Sequence, residues 1–342
     1  MDAEQVSTGL TTFLKRKTGA TTVDIGPLSR MSGGASRETW SVDIRIDGGP
    51  VIEAIMRADP MKGAVTSPGR ALEYTTILAA FENGALVPEP LWDGDEEHDD
   101  IFGVRFFVMR RVAGETLGPR FIRQPQYEAA RNAITPQLAQ SIARIHRIEH
   151  ERYPKLSLLP EPVPGTSPAQ LELDTYETHM RNDSQEPHPV FELALRWLRA
   201  RMPMFDQRVF VHGDFRLGNV IFDESGLKAV IDWELAHFGD PMEDLGYVMI
   251  RSWRFGGTKP VAGVGSREEF FAAYEAAGGF PVDPERVRFW EILSNLKWGI
   301  ITIMQGASYL IRGNKSVEHA MIGRRPAETE WELLKLLEGK YD

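Results

Sequence analysis

The stretch that most limits the fold is VFVHGDFRLGNVIFDESGLKAVIDWE, residues 209–234. Its apolar runs are too short for helices and are bounded by Gly, Asn and Asp, so they read as short strands. Asp223, Glu224, Ser225 and Gly226 have the composition of a hairpin turn. Counting outward from that turn sets Phe222 opposite Leu227 and Asn219 opposite Val230. Asn219 and Asp232 then share the open end of the hairpin, offset by about two residues or ~7 Å. Asp214 enters the same end through the preceding loop. Local pairing thus gathers two carboxylates and one amide, a set of hard oxygen donors that suits Mg²⁺. Taken singly, each is an ordinary turn or cap residue. Together, with strands on both sides, they point to a site.

The surroundings change character along the chain. Residues 22–57 read as three strands, 68–81 as a helix with Leu72, Ile77, Leu78 and Phe81 on one face, and "PEPLWD" and "IFGVRFFVMRRV" as two more strands. A short amphipathic helix precedes them, with Val6, Leu10, Phe13 and Leu14 on one face and Gly19 at its end. Beyond residue 112 helical periodicity takes over, broken by a Pro-rich loop at 154–168. The expectation is an α+β fold of two lobes: residues 1–112 a mostly antiparallel sheet plus helix, residues 113–342 mainly helical with short hairpins, and 124–204 a helical insert.

Composition removes several classes. There is no cysteine among the 342 residues, so disulfides, zinc thiolates and cysteine nucleophiles are excluded. A net charge of −10 argues against general nucleic-acid binding, which needs a basic surface. No apolar run approaches ~18 residues, and the N-terminus lacks the basic-then-apolar form of a secretory signal. The expectation is a cytoplasmic protein with no membrane partner and an unknown oligomeric state.

His212-Gly213-Asp214, Asn219 five residues later, and Ile231-Asp232-Trp233 resemble the catalytic and metal-binding loops of protein-kinase-like phosphotransferases. Gly213 and "DWE" resemble the aminoglycoside phosphotransferase and choline kinase branch, which acts on small molecules. "DWELAHFGDPMEDLGY" and "NLKWG" are similar to the kinase-like domain that stands alone in bacteria or is fused to some acyl-CoA dehydrogenases. The resemblance implies a bilobal protein-kinase-like fold with a nucleotide-binding first lobe and a catalytic, substrate-binding second lobe. It implies transfer of the γ-phosphoryl of ATP (or GTP) to a hydroxyl of a small molecule, with Mg²⁺.

The resemblance also implies roles. Asp214 is the base, Asn219 and Asp232 hold Mg²⁺, and Arg216 grips the transferring phosphoryl group. His212 braces the loop, and Asp244 anchors it or caps a helix. Ser32, Gly33, Gly34 and Ser36 form a small-residue turn over the phosphates, which on composition alone would be an ordinary hairpin turn. Arg57 stands where kinases carry a Lys, with Glu73 as its ion-pair partner, and the strand end at Met109 and Arg111 is the hinge for adenine. Arg57 departs from the pattern and leaves a second reading open, a nucleotide-binding, non-catalytic pseudokinase regulator. A helical binding module without nucleotide would leave the Asp214 cluster unexplained. The acidic residues Glu161, Glu172, Asp174, Glu177, Asp183 and Glu186 suggest a cationic acceptor such as an aminoglycoside, or else a solvated face. The dehydrogenase resemblance suggests a hydroxy acid or hydroxyacyl acceptor. His179 and His188 read as structural, Gly263 and Gly265 as a flexible loop, and Trp290 and Trp298 as core.

Overall fold

A computed structural model describes residues 1–31, 38–59, 70–95 and 98–340. The chain divides into two compact units, Met1–Gly114 with Glu149–Leu159 and Lys228–Glu234, and Glu115–Ile148 with Pro160–Leu227 and Leu235–Asp342.

The first unit is built on a five-stranded antiparallel sheet of β1 (Val23–Arg30), β2 (Glu38–Ile46), β3 (Ile52–Ala58), β4 (Pro90–Asp93) and β5 (Phe106–Arg110), in the order β1-β2-β3-β5-β4. Alternation along β2 turns Trp40, Val42 and Ile44 inward, and register sets Trp40 opposite Met56 of β3. Helix α1 (Ala3–Thr18) covers that face. Its Val6, Leu10, Phe13 and Leu14 are fully buried, as the 3.6-residue spacing predicts. Each contributes roughly 1.5–3 kcal/mol by leaving water. The helix starts in a capping box between Asp2 and Gln5 and ends at Gly19 in the left-handed conformation. Helix α2 (Arg70–Glu82) and the helical turn α3 (His98–Ile101) complete this unit's described helices.

The second unit is mainly helical: α4 (Gly118–Arg123), α5 (Glu128–His146), α6 (Pro168–Asp183), α7 (Pro189–Arg199), α8 (Met242–Tyr247), α9 (Arg267–Ala276), α10 (Pro284–Leu310), α11 (Val317–Ile322) and α12 (Pro326–Leu337). At its centre, α10 is apolar almost all round and packs against α6, α7, α8, α11 and α12. Asp283 caps it and Pro284 opens it. Gly246 lets α8 approach closely, because a Cβ there would lie 2.7 Å from the Glu291 amide nitrogen. Strands β6 (Val209–Val211) and β9 (His237–Gly239) pair antiparallel, and β7 (Val220–Asp223) pairs with β8 (Gly226–Val230) as the expected hairpin.

Trp290 and Trp298 are buried, as expected of core. His188 is structural too, stacked on Phe191 and bonded to Glu330 at 3.0 Å. Gly263 and Gly265 depart from expectation. Rather than a flexible loop they lie in a built turn, bridged to Lys259 and Val261 through backbone hydrogen bonds. No described helix is long and apolar enough to cross a membrane.

Candidate active site

In the second unit, β6 delivers the chain into a loop whose first turn only glycine can make. Gly213 has φ of +76°, and a Cβ there would stand 2.2 Å from the carbonyl oxygen of Leu235. Asp244 of α8 fixes this turn: its two carboxylate oxygens accept the amides of His212 at 2.8 Å and Gly213 at 2.9 Å. His146 Nε2 lies 3.0 Å from the same carboxylate, and its Nδ1 lies 2.7 Å from the Tyr274 hydroxyl. Burial alone would raise the Asp244 pKa, but these bonds and the neighbouring His146 and His212 hold it below the usual carboxylate range. Asp244 sits inside α8, after Pro241 at the N-cap, so it anchors the loop and does not cap the helix. His212 is fully buried and its Nδ1 accepts the Asp214 amide at 3.2 Å, which is a bracing role.

The Asp214 carboxylate is held from both sides. Arg216 Nε donates to Oδ1 at 3.0 Å and the Asn219 side-chain amide donates to Oδ2. The same Asn219 nitrogen reaches the Asp214 carbonyl at 3.1 Å, and the Asn219 amide closes the turn onto Arg216 O at 2.9 Å. With its nitrogen committed to Asp214, Asn219 keeps its side-chain carbonyl oxygen as an acceptor. The Arg216 guanidinium lies 4.3 Å over the Trp253 ring, a cation–π contact that fixes its plane.

The remaining expected residues that are described belong to the first unit. Arg57 on β3 pairs with Glu73 of α2 and lies 4.0 Å from Glu234. Burial lowers its pKa, opposed by the charges of Asp232 and Glu234. Its Nε is buried without a hydrogen-bond partner among the described residues. Asp232 has φ of +70°, a left-handed conformation that Asp tolerates better than most residues. Its carboxylate has no hydrogen-bond partner among the described residues. Met109 lies on β5 opposite Ile55 and Pro90. The Arg111 amide donates to Glu53 O at 2.9 Å, and its guanidinium is held by Ser41, Asp43 and Glu53. Ser32, Gly33, Gly34 and Ser36 lie outside the described residues.

Sequence reasoning missed a buried charge node in the second unit. Lys297 of α10 donates to Glu172 of α6 at 2.7 Å and to Glu243 of α8 at 3.0 Å. His237 Nε2 lies 3.1 Å from Glu243, and its Nδ1 lies 2.9 Å from Leu235 O. Burial would lower the His237 pKa, but Glu243 and Glu172 raise it to about 9, so the ring is an imidazolium with both nitrogens donating. Glu172, His237 and Glu243 cluster closely enough to suggest a metal site. The Lys297 ammonium is the cation that the two glutamates hold. One signal was available: Lys297 is a lone charge deep in the apolar helix "NLKWG". The node also answers part of the acidic run. Glu172 is spent on Lys297, Asp174 and Glu177 on Arg199, Asp183 on Arg312 and Glu161 on Arg208.

Comparison with known proteins places this geometry in a family. The sequence profile of the phosphotransferase enzyme family matches residues 28–290. Acyl-CoA dehydrogenase family member 11 of Rattus norvegicus is 27% identical over 269 residues, covering 73% of this chain and 33% of the relative. The chain spans about a third of the length of the curated relatives it matches. Among solved structures, a Ralstonia eutropha protein assigned to the aminoglycoside phosphotransferases superposes with a TM-score of 0.73 at 22% identity, covering 96% of this chain and 98% of the other. A choline/ethanolamine kinase family protein from Mesorhizobium loti gives 0.60 at 18%, covering 100% and 99%. Spectinomycin phosphotransferase, solved with ADP and spectinomycin, gives 0.62 at 14%, covering 98% and 99%. The fold is thus the kinase-like α+β fold of these enzymes, and the chain belongs to the phosphotransferase enzyme family.

Proposed function

We propose that this chain is a cytoplasmic small-molecule kinase that moves the γ-phosphoryl group of ATP, or GTP, to a hydroxyl, with Mg²⁺ bound. The observation that carries the reading is the Asp214 carboxylate, held on both oxygens by Arg216 and Asn219 in a loop whose amides are fixed by Asp244. A carboxylate so fixed can orient an acceptor hydroxyl in line with a phosphoryl group, which is where most of the catalysis lies in a loose transition state. The acceptor oxygen forms the new O–P bond and its proton passes to Asp214. The bond from the γ-phosphorus to the bridging oxygen breaks, and its electron pair leaves with the nucleoside diphosphate. Arg216 is placed to steady the transferring oxygens.

The donors fit Mg²⁺: the Asn219 carbonyl oxygen and the Asp232 carboxylate are hard oxygens not spent on hydrogen bonds among the described residues. When bound, the ion neutralises charge on the phosphate oxygens. In this reading residues 1–112 form the nucleotide-binding lobe. Ser32, Gly33, Gly34 and Ser36 cover the phosphates, Arg57 braced by Glu73 grips them, and the strand end at Met109 and Arg111 meets the base. Residues 113–342 form the catalytic and substrate-binding lobe. The nucleotide and small-molecule complexes of the spectinomycin enzyme support the substrate classes.

Arg57 in place of Lys favours a second reading, a nucleotide-binding regulator without turnover. The Asp214→Asn variant separates the two. In the kinase reading it keeps Mg²⁺-dependent thermal stabilisation by ATP and loses turnover by ~10²-fold or more. Turnover surviving within about tenfold removes Asp214 as the base. Absence of any shift at millimolar ATP removes both nucleotide readings.

A further inference from the structure

Arg216 folds back over its own loop, and the room that it occupies is left by a missing side chain. Gly218 lies in the helical turn Leu217–Asn219 and is not among the glycines with a left-handed backbone. Its conformation is one that other residues adopt. The space above it is what another residue would fill. A Cβ at Gly218 would overlap Arg216 Nη1, stand 3.3 Å from Arg216 Cζ and lie 3.7 Å from Phe255 Cζ.

Two aromatic rings complete the enclosure. The Arg216 guanidinium lies 4.3 Å over the Trp253 ring while its Nε donates to Asp214 Oδ1 at 3.0 Å. Trp253 Nε1 is buried without a hydrogen-bond partner among the described residues, so what the indole offers here is its face. Of the aromatic side chains, Trp gives a cation the strongest face. Trp253 is itself held, with ring centres 4.6 Å from Trp298 and 6.1 Å from Tyr247. The Phe255 ring centre is 6.4 Å from that of Trp253, and Phe255 has φ of +49°, an outlier for a bulky residue. Such a conformation persists only where its surroundings fix it. The start of α4 leaves room for it: a Cβ at Gly118 would overlap the Phe255 ring. Two glycines thus clear space, one for a ring and one for the guanidinium beside it.

We propose that Gly218 and Trp253 are positioning residues for Arg216, and that with Phe255 they form a seat for a guanidinium lying flat, its Nε edge turned to Asp214. The consequence for turnover rests on the reading of Arg216 as the grip on the transferring phosphoryl group. A planar cation suits such a slot. An ammonium at the same position would lack both the flat face and the Nε–H that meets Asp214. Without the seat the long side chain regains its rotamer freedom, and Asp214 Oδ1 loses its donor.

Nuclear magnetic resonance of the full chain carrying nitrogen-15 arginine reads the seat directly, the Arg216 Nε–H signal being identified by its loss in Arg216→Lys. In wild type that proton should be protected from exchange with water. The added methyl of Gly218→Ala meets the far end of a flexible side chain, so the variant should melt as wild type does while Arg216 is displaced. Its Nε–H exchange should then quicken about tenfold, the size of one hydrogen bond lost. Trp253→Leu should do the same, and Trp253→Phe should restore most of the protection because a ring face returns. The Arg147 Nε–H, which donates to Gly278 O at 2.7 Å, is the control and should not move. An Arg216 signal unprotected in wild type, unchanged in Gly218→Ala, or altered together with that of Arg147 would overturn the proposal. So would a Trp253→Leu variant that protects Arg216 as well as Trp253→Phe does.

Turnover tests whether Gly218 acts through Arg216. Mg²⁺-ATP hydrolysis, with water in the acceptor's place, should fall about tenfold in kcat in Gly218→Ala, with the KM for ATP held within about threefold. Adding Gly218→Ala to Arg216→Ala should cost nothing more, since the group it displaces is gone. A second loss of similar size in that background would overturn the proposal. Wild type that hydrolyses ATP no faster than Asp214→Asn would instead strike the kinase reading and leave the exchange result standing.

Discussion

Glu243 and Asp244 are neighbours on one short helix, both buried to about 1% exposure or less, and they are neutralised in opposite ways. Asp244 is met by two backbone amides and the ring of His146. Glu243 is met by full charges, the Lys297 ammonium and the His237 imidazolium. Backbone donors are fixed by the chain, so bonds to them transmit geometry: moving Asp244 moves the turn that presents Asp214. Paired charges in a low-dielectric interior transmit energy, because losing one partner strands the other. The first arrangement fixes the Asp214 loop and the second locks α6, α8 and α10 together. The comparison can be broken by variants that separate stability from turnover.

The largest effect on stability is expected from Lys297→Met. It leaves Glu172 and Glu243 facing one another with only His237 between them, and breaking a buried pair in this way costs about 3–5 kcal/mol. Urea denaturation followed by circular dichroism measures it. A loss below about 1 kcal/mol would mean that the node does not lock the helices.

Asp244→Asn should cost less stability, about 1–3 kcal/mol, since the shape remains but one acceptor oxygen becomes a donor facing a backbone N–H. It should cost more turnover than Lys297→Met when both are assayed well below their melting temperatures, with Mg²⁺-ATP consumption falling ~10²-fold or more. If the rate holds within threefold, the amide anchor is not what aims Asp214.

The two sites also differ in their pH limbs. The His237 pKa in the folded protein stands at about 9, above the ordinary 6.5. Its contribution is therefore fully present below about pH 6.5 and is lost as pH rises through about 9. Glu172 and Glu243 favour the charged ring, while Lys297 opposes it. The Asp244 pKa is held low, so its contribution is present above the ordinary carboxylate range and is lost as pH falls through the folded value. Thermal melting from pH 2 to 10 should show an alkaline decline that His237→Gln flattens, with the acid limb unchanged. An alkaline decline identical in the variant would detach His237 from the node.

What the sequence made legible follows the same division. The Asp214–Asn219 arrangement arises from five residues of local spacing, and the β7–β8 hairpin from a turn of recognisable composition, so both could be read without tertiary information. Arg57 and Glu73 were paired because a strand-to-helix connection brings them together. The Lys297 node could not be read. Its members come from α6, β9, α8 and α10, separated by up to 125 residues, and each alone looks like a solvated charge or a loop histidine. Trp253 was missed for a related reason. Nothing local says that an indole 37 residues past Arg216 will lie under its guanidinium.

The smallest effect concerns the outward side of the same helix that carries Glu172. Arg199 reaches Asp174 and Glu177 across α6 and α7, at 40% side-chain exposure against 53% and 25%. It is the same pairing of acid and base as at Lys297, set in water. There the attraction is screened and the carboxylates can solvate themselves once the arginine is gone. Arg199→Ala should therefore cost no more than about 1 kcal/mol, and raising the salt to ~1 M should shrink even that difference between variant and wild type. Lys297→Met should keep its full cost at the same salt, because ions do not reach a side chain 2% exposed. Equal salt sensitivity in the two variants would mean that water reaches the node. The contrast between charge held inside the unit and charge held at its surface would then fail.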